Sequence, residues 1–241
     1  MYNVLCLIPG VSVEYLDHRK TILSRNIERL HDCACNLTVH VYDYAGVGLL
    51  PEEVDKVVSG NLGLYQVFQL YADEVNQYEY IIVLLDDVEI LNIDLDFMID
   101  KYNQYNMDIM SPTVSNDSAW AHKVMKTYDR MMIREVNFIE LFCYIMKPAV
   151  FHEWTSIMTH ENTFGWGIDT NMKLLLNVDL YLFDAFKIKH HYINTVDSRL
   201  PLHQVCVAQM REYNRLMSKK RNLKLQDFPD YTVLRELDYN Q

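Results

Sequence analysis

The chain of 241 residues carries 33 Asp and Glu against 22 Lys and Arg, a formal net charge of −11, and half of its residues are hydrophobic. The acidic balance argues against a nucleic-acid surface, which needs a basic stripe, and the apolar content argues against disorder. Five cysteines at irregular spacing make no disulfide framework, and Cys33-Ala34-Cys35 lacks the second pair that a structural zinc needs.

Residues 3–8 predict an apolar strand closed by Pro9-Gly10, a turn signal. Residues 21–31 place Ile22, Ile27 and Leu30 on one helical face. Residues 37–42 alternate Leu37, Val39 and Val41 with Thr38, His40 and Tyr42, the pattern of a second strand. Residues 51–58 open with Pro51 and two acids, which predicts a helix. Residues 62–75 predict another, with Leu64, Val67, Phe68 and Tyr71 at helical spacing. Residues 80–85 (YIIVLL) are too short to span a membrane and read as a strand buried on both faces. Beyond them the pattern predicts a helix over 94–104, a strand over 107–114 and a strand over 137–146 interrupted by Glu140. Helices over 148–158 and 169–177, a short strand over 180–183 and a helix over 201–220 follow. The last 20 residues are polar and are predicted to wrap the surface. Strands alternating with helices, and only 7 Gly and 6 Pro to make linkers, imply a single α/β domain. No apolar run approaches the roughly 20 residues that cross a bilayer. The N-terminus lacks a signal-peptide pattern, so a soluble, cytoplasmic protein is expected.

Three features point to chemistry. The strand at 80–85 ends in Asp86, Asp87 and, after Val88, Glu89. Carboxylates at the C-terminal end of such a strand lie where open α/β sheets bind ligands. Their mutual repulsion calls for a cation or hydroxyl groups, and oxygen ligands suit Mg²⁺ or Mn²⁺; the plainer alternative is a solvated acidic turn. Next, Gly165-Trp166-Gly167 makes a bendable loop around a flat indole, a platform for a sugar ring or simply a packed turn. Finally, His190 and His191 follow the short strand at 180–183, where an imidazole can complete a site begun by carboxylates.

In this order, Asp86-Asp87-Val88-Glu89 after a hydrophobic strand, the FIELFCYIM run at 138–146, the FGWGID run at 164–169, and then a strand and His, the chain resembles GT-A-type glycosyltransferases. It is similar in particular to the small glycosyltransferase domains of large algal DNA viruses and to related plant and bacterial proteins of unassigned function. The resemblance covers residues 3–192. It implies a GT-A-like domain over residues 1–195 with a mostly parallel central sheet, and a C-terminal helix and surface tail over 196–241. It also implies metal-dependent transfer of a sugar from a nucleotide-diphosphate donor, UDP above all, to a glycan or other hydroxyl acceptor. If the source is viral, the site of action would be the host cytoplasm.

By the same resemblance, Mn²⁺ or Mg²⁺ is held by Asp87, Glu89 and His190. Asp86 then contacts ribose or donor sugar; the opposite assignment of the acids stays open, and His191 rivals His190. Asp169 is the candidate base that deprotonates the acceptor, which implies inversion; its alternative role is a helix N-cap. Trp166 stacks on donor or acceptor sugar. Pro9, Asp43 and Tyr44 sit at strand ends on the nucleotide side, with Arg19 and Lys20 in reach of phosphates. Glu140, and His191 if it is not a ligand, serve the acceptor or the metal's surroundings, and acceptor recognition is expected of the C-terminal helix and tail. Two other functions stay open: a binding module that keeps the nucleotide-sugar site without turnover, and a metal-dependent phosphohydrolase using the same acids. No Gly-x-Gly-x-x-Gly, Walker or Gly-x-Ser-x-Gly pattern supports a dehydrogenase, ATPase or esterase.

Overall fold

The computed structural model describes residues 1–10, 16–43, 53–60, 62–119, 121–128, 132–159, 162, 165–191, 201–227 and 229–238. Strand β1 (Asn3–Pro9) is fully buried after its first residue. Beside it run β2 (Asn36–Asp43) and β3 (Lys56–Ser59) on one side and β4 (Tyr80–Leu84) on the other, all parallel. Parallel neighbours need helical crossovers. Helix α1 (Leu16–His31) supplies the first, burying Ile22, Leu23, Ile27 and Leu30. Helix α2 (Leu64–Gln69) belongs to the connection between β3 and β4.

After β4 the chain turns through Asp86 and Asp87 into β5 (Val88–Asn92), then α3 (Leu95–Gln104) and β6 (Ile109–Val114). Next come β7 (Met132–Val136), β8 (Cys143–Met146), α4 (Pro148–Ser156) and α5 (Ile168–Leu176). The long β9 (Leu180–His190), α6 (Pro201–Arg221) and β10 (Val233–Asp238) complete the order. The sheet runs β10-β7-β9-β6-β8-β4-β1-β2-β3, with β5 paired to β9. It is parallel from β4 to β3 and between β6 and β9, and antiparallel where β8 joins β4 and β6, and where β7 and β5 join β9. Among the described residues no helix is long and apolar enough to cross a membrane.

Strands β5 and β7 form where the sequence reading expected no element, and five further expectations change. The helix expected over 51–58 is replaced from Lys56 onward by β3: Val57 and Val58 pair along the edge of β2, and edge pairing outweighs the Pro-acid start signal. The helix expected over 62–75 ends at Gln69 and gives way to a 3₁₀ turn over Glu74–Gln77. The strand expected over 137–146 is only β8, so Glu140 lies in the turn before it rather than inside a strand. Strand β9 extends seven residues past Phe183, through a register shift against β6 that accommodates Asp184, Ala185 and Phe186. The polar tail contributes β10, which pairs antiparallel with β7 through backbone bonds that need no apolar side chains.

The shifted stretch of β9 is held by a buried ion pair. Arg134 and Asp184 are both inaccessible and meet at 2.8 Å, while Arg134 also donates to the carbonyls of Val124 and Lys126. Asp184 accepts from the Tyr128 amide in turn. The segment over 122–128 is thereby fastened to β7 and β9, because none of these buried polar groups is left without a partner.

Candidate active site

Asp87, Glu140, Trp166, Asp169 and His190 line one cavity of about 540 Å³, beside the C-terminal end of β4. Five residues singled out from four separate stretches of sequence therefore share one space. His190 Nε2 lies 3.4 Å from Asp87 Oδ2, and the Phe142 ring stacks on the imidazole at 4.5 Å. The main chain fixes this pair: His191 N donates to Asp87 O, and His190 stands opposite Val88 in the β5–β9 ladder.

The neighbouring acids face elsewhere. Glu89 turns to α1, where Arg25 and Arg29 approach it at 3.4 and 3.3 Å, and His191 Nε2 sits 3.0 Å from its other oxygen. Burial opposes ionisation of Glu89, but the His191 hydrogen bond and the charges of Arg29 and Arg25 hold its carboxyl below the usual range. Asp86 is paired with Arg19 of α1. Asn26 completes this side, donating to Val88 O and accepting from Ile90 N, both at 2.7 Å. The adjacent residues His190 and His191 point to opposite faces, one into the cavity and one to the helix that covers β5, whereas Asp87 parts from Glu89 because it lies in the turn before β5 and not in the strand. Glu89, Asp86 and His191 are not among the described residues that line the cavity.

Asp169 enters from the first turn of α5. The N-cap is Gly167, so Asp169 is not the cap itself; its Oδ1 accepts from the Thr170 amide at 2.7 Å. Burial pushes its carboxyl up to about 6, against the opposing pull of the Thr170 and neighbouring amides. A carboxylate in this position is ionised at neutral pH yet basic enough to take a proton.

The Gly-Trp-Gly loop is held in place by backbone geometry. Gly165 and Gly167 have φ of 76° and 87°, and a Cβ on Gly167 would lie 2.8 Å from Met210 Cγ of α6. The loop is tied by Asn162, whose side chain donates to Trp166 O at 2.7 Å. Above it the half-buried Trp166 ring meets the His203 ring edge-on at 5.3 Å. A second aromatic group faces the same space: Phe138 stacks on Tyr231 at 3.9 Å, and His122 meets both edge-on. Burial lowers the His122 pKa and keeps that ring neutral.

The chain matches no family model and no curated protein. Solved structures do match. GalNAc-T7 with UDP, GalNAc and Mn²⁺ aligns with 92% of this chain at 10% identity and a TM-score of 0.61. S. aureus TarS 1-349 in complex with UDP aligns with 91% at 10% identity and a TM-score of 0.55. The chain has the GT-A glycosyltransferase fold. It spans 51% of the GalNAc-T7 chain and 73% of TarS 1-349. A197 from STIV also aligns, over 79% of this chain and 86% of that one, at 15% identity and a TM-score of 0.48.

In this GT-A sheet Pro9 and Asp43 end the adjacent parallel strands β1 and β2, and Gly10 N donates to Tyr42 O at 2.9 Å. Asp43 is fully buried beside Ser59 of β3, and Tyr44 lies outside the described residues. Among the described residues no group of three or more His, Cys, Asp or Glu is placed to hold a metal ion. The pair Asp87 and His190 nevertheless suits a cation that takes its remaining ligands from substrate. Asp87 Oδ1 is buried without a hydrogen-bond partner, and hard divalent cations are often held by one or two carboxylates plus phosphate oxygens. Glu89, the third expected ligand, is committed to Arg25, Arg29 and His191.

Sequence reasoning missed His122, Phe138, His203, Met210, Asp227 and Tyr231, all of which line the cavity. One signal was available: His203, Met210 and Asn214 fall on one face of the helix expected at 201–220, at spacings of seven and four. Nothing local marks Phe138 or Tyr231, because their pairing depends on the return of the chain after α6.

Proposed function

We propose that the protein is a glycosyltransferase that moves a sugar from a nucleoside-diphosphate donor, UDP-linked by preference, to a hydroxyl acceptor with inversion. The observation that carries this reading is the convergence of Asp87, His190, Trp166 and Asp169 on one cavity in a GT-A fold. Two fold neighbours, GalNAc-T7 with UDP, GalNAc and Mn²⁺ and TarS in complex with UDP, support a uridine donor and a divalent cation.

In this mechanism the nucleotide lies over the ends of β1 and β2, near Pro9 and Asp43, and its diphosphate reaches the Asp87–His190 pair. A divalent cation held there supplies charge neutralisation for the departing diphosphate. Trp166 offers its ring to a sugar face, and the glycines around it let the loop backbone come close. Asp169 takes the acceptor proton as the acceptor oxygen bonds to the anomeric carbon on the face opposite the leaving group. The bond from that carbon to the diphosphate oxygen breaks, and the diphosphate departs with the electron pair. The apolar rings of Phe142 and Phe138 keep water from competing as acceptor.

The test is calorimetric titration of UDP and a panel of UDP-sugars into the protein with Mn²⁺ and then with excess chelator. Metal-dependent binding that Asp87→Asn abolishes is expected. Binding of UDP that is indifferent to both chelator and Asp87→Asn removes Asp87 from the proposed cation site, and absence of any uridine nucleotide binding overturns the donor assignment.

A further inference from the structure

Helix α6 turns two sides to different surroundings. Cys206, Met210, Tyr213, Asn214 and Met217 are buried on one side, and His203 and Met210 line the cavity. Outside, the chain from Arg211 to Lys224 carries six basic residues, Arg211, Arg215, Lys219, Lys220, Arg221 and Lys224, and one acid, Glu212. All seven are exposed. Bases in the last turn suit the helix dipole, but Arg211 and Arg215 lie further back and Lys224 lies past the helix end, so the dipole does not account for the run. Asn222, at φ 54°, ends the helix; Leu223 N then donates to Ser218 O at 3.1 Å and Leu225 N to Ser218 Oγ at 3.3 Å. Leu223 and Leu225 pack against the core, which keeps the exposed Lys224 close to the last turn.

Arg215 meets Glu212 at 2.6 Å and Arg211 approaches Asp227 at 3.5 Å, both as surface pairs, and Lys219, Lys220, Arg221 and Lys224 extend the run beyond them. Leu202 and Val205, at the start of the same helix, are 37% and 46% exposed. Leu202 and Lys220 stand about five turns apart, and Val205 and Lys219 about four, so the exposed aliphatic start and the basic end share one side. That side is convex, and the one aromatic residue between 211 and 224, Tyr213, is buried. A single-stranded polynucleotide is therefore given no stacking platform there, whereas a flat anionic lipid surface needs only basic side chains and a few aliphatic ones. The whole chain carries −11, so apart from this run it is more acidic still. An anionic surface thus favours the orientation that turns α6 toward it, because charges more than a Debye length of about 8 Å away are largely screened.

We propose that the outer side of α6, from Leu202 to Lys224, docks the protein on an anionic lipid surface. Lys219, Lys220, Arg221 and Lys224 meet the headgroup phosphates, and Leu202 and Val205 enter the boundary beneath them. Docking does not depend on the glycosyltransferase reading, but it bears on the same cavity. The inner side of the helix supplies His203 and Met210 to the lining, so one wall of the cavity comes within about 10 Å, the thickness of a helix, of the lipid.

The test is co-sedimentation of the full chain with vesicles of phosphatidylcholine alone and with vesicles containing one-third phosphatidylglycerol. Binding to the anionic vesicles is expected to be about tenfold or more tighter than to the neutral ones, and to weaken as salt rises. Each basic residue near such a surface is worth about fivefold. The triple variant Lys219→Gln, Lys220→Gln and Lys224→Gln should therefore bind about 10²-fold more weakly, with its melting temperature unchanged. Leu202→Ser combined with Val205→Ser should weaken binding by roughly tenfold. Equal binding to neutral vesicles, no binding to anionic ones, or indifference to either variant overturns the proposal. So does polyuridylate bound more tightly than the anionic vesicles at equal phosphate concentration through the same lysines, which would assign this side of the helix to a polynucleotide.

Discussion

Replacing Asp169 by Asn separates a catalytic carboxylate from a structural one, because the two roles predict opposite changes in stability. An unperturbed Asp titrates near 3.9, whereas burial beside Thr170 pushes Asp169 up to about 6. The folded pKa lies above the unfolded one, so the neutral acid is the form that folding favours. That contribution is whole below about pH 4 and is lost as pH rises through about 6. Above pH 7 the fold carries a buried anion at a cost on the order of 2–3 kcal/mol. Asn keeps an oxygen for the Thr170 amide and sheds the charge. Asp169→Asn should therefore raise the melting temperature at pH 7.5 by roughly 5–10 °C for a chain of this size, and the gain should vanish at pH 4. Turnover should fall by about 10²-fold or more. In the wild type the acid limb of kcat/KM should bend near pH 6, since the base must be ionised to accept a proton. Differential scanning calorimetry at the two pH values and a pH–rate profile are the assays. A variant less stable at pH 7.5, together with an acid limb near pH 4, would show that Asp169 only braces the start of α5.

Three further outcomes follow from the packing. Glu89→Gln should destabilise the fold by about 1–3 kcal/mol at pH 7, by breaking the contacts to Arg25, Arg29 and His191. Because the Glu89 carboxyl is held low, that loss should disappear in urea titrations as pH falls through its folded pKa, while metal-dependent UDP binding at pH 7 should match the wild type. Gly167→Ala combines a φ of 87° with a 2.8 Å approach to Met210; it should cost about 1–3 kcal/mol in denaturant unfolding and weaken donor-sugar binding more than UDP binding. Arg134→Met leaves Asp184 buried without its cation and should cost about 3–5 kcal/mol, with hydrogen exchange rising first over residues 122–128.

The parallel half of the sheet was legible because β1, β2 and β4 are apolar runs that nothing else in the chain can bury. Helices α3, α4 and α5 were legible from periodicity and their start signals. The site was legible as a set of stretches, and the structure brings Asp87, Glu140, Trp166, Asp169 and His190 to one space. What the sequence left open is the face each acid takes: a one-residue change of register moves a side chain across the sheet, and residues 86–89 offered no way to fix it before β5 was known to pair with β9. The tail was read as surface because polar residues carry no apolar period. Its strand is made by main-chain bonds to β7, and Gln226, Asp230 and Thr232 ahead of it are held by Asn171 and Asn137, 55 and more residues away in sequence.

The four residues from Asp86 to Glu89 serve two compartments that share only a stretch of backbone. Among homologues, an invariant block here would have two unrelated origins. The Glu89–His191 contact and the Asp86–Arg19 pair can drift by matched exchanges, such as an apolar pair of similar volume, since only their sum matters to the fold. Asp87 and His190 have no such freedom if they meet a ligand, because the other half of that match lies outside the chain. Paired substitution at 89 and 191, with 87 and 190 fixed, is therefore the evolutionary signature that this arrangement should leave.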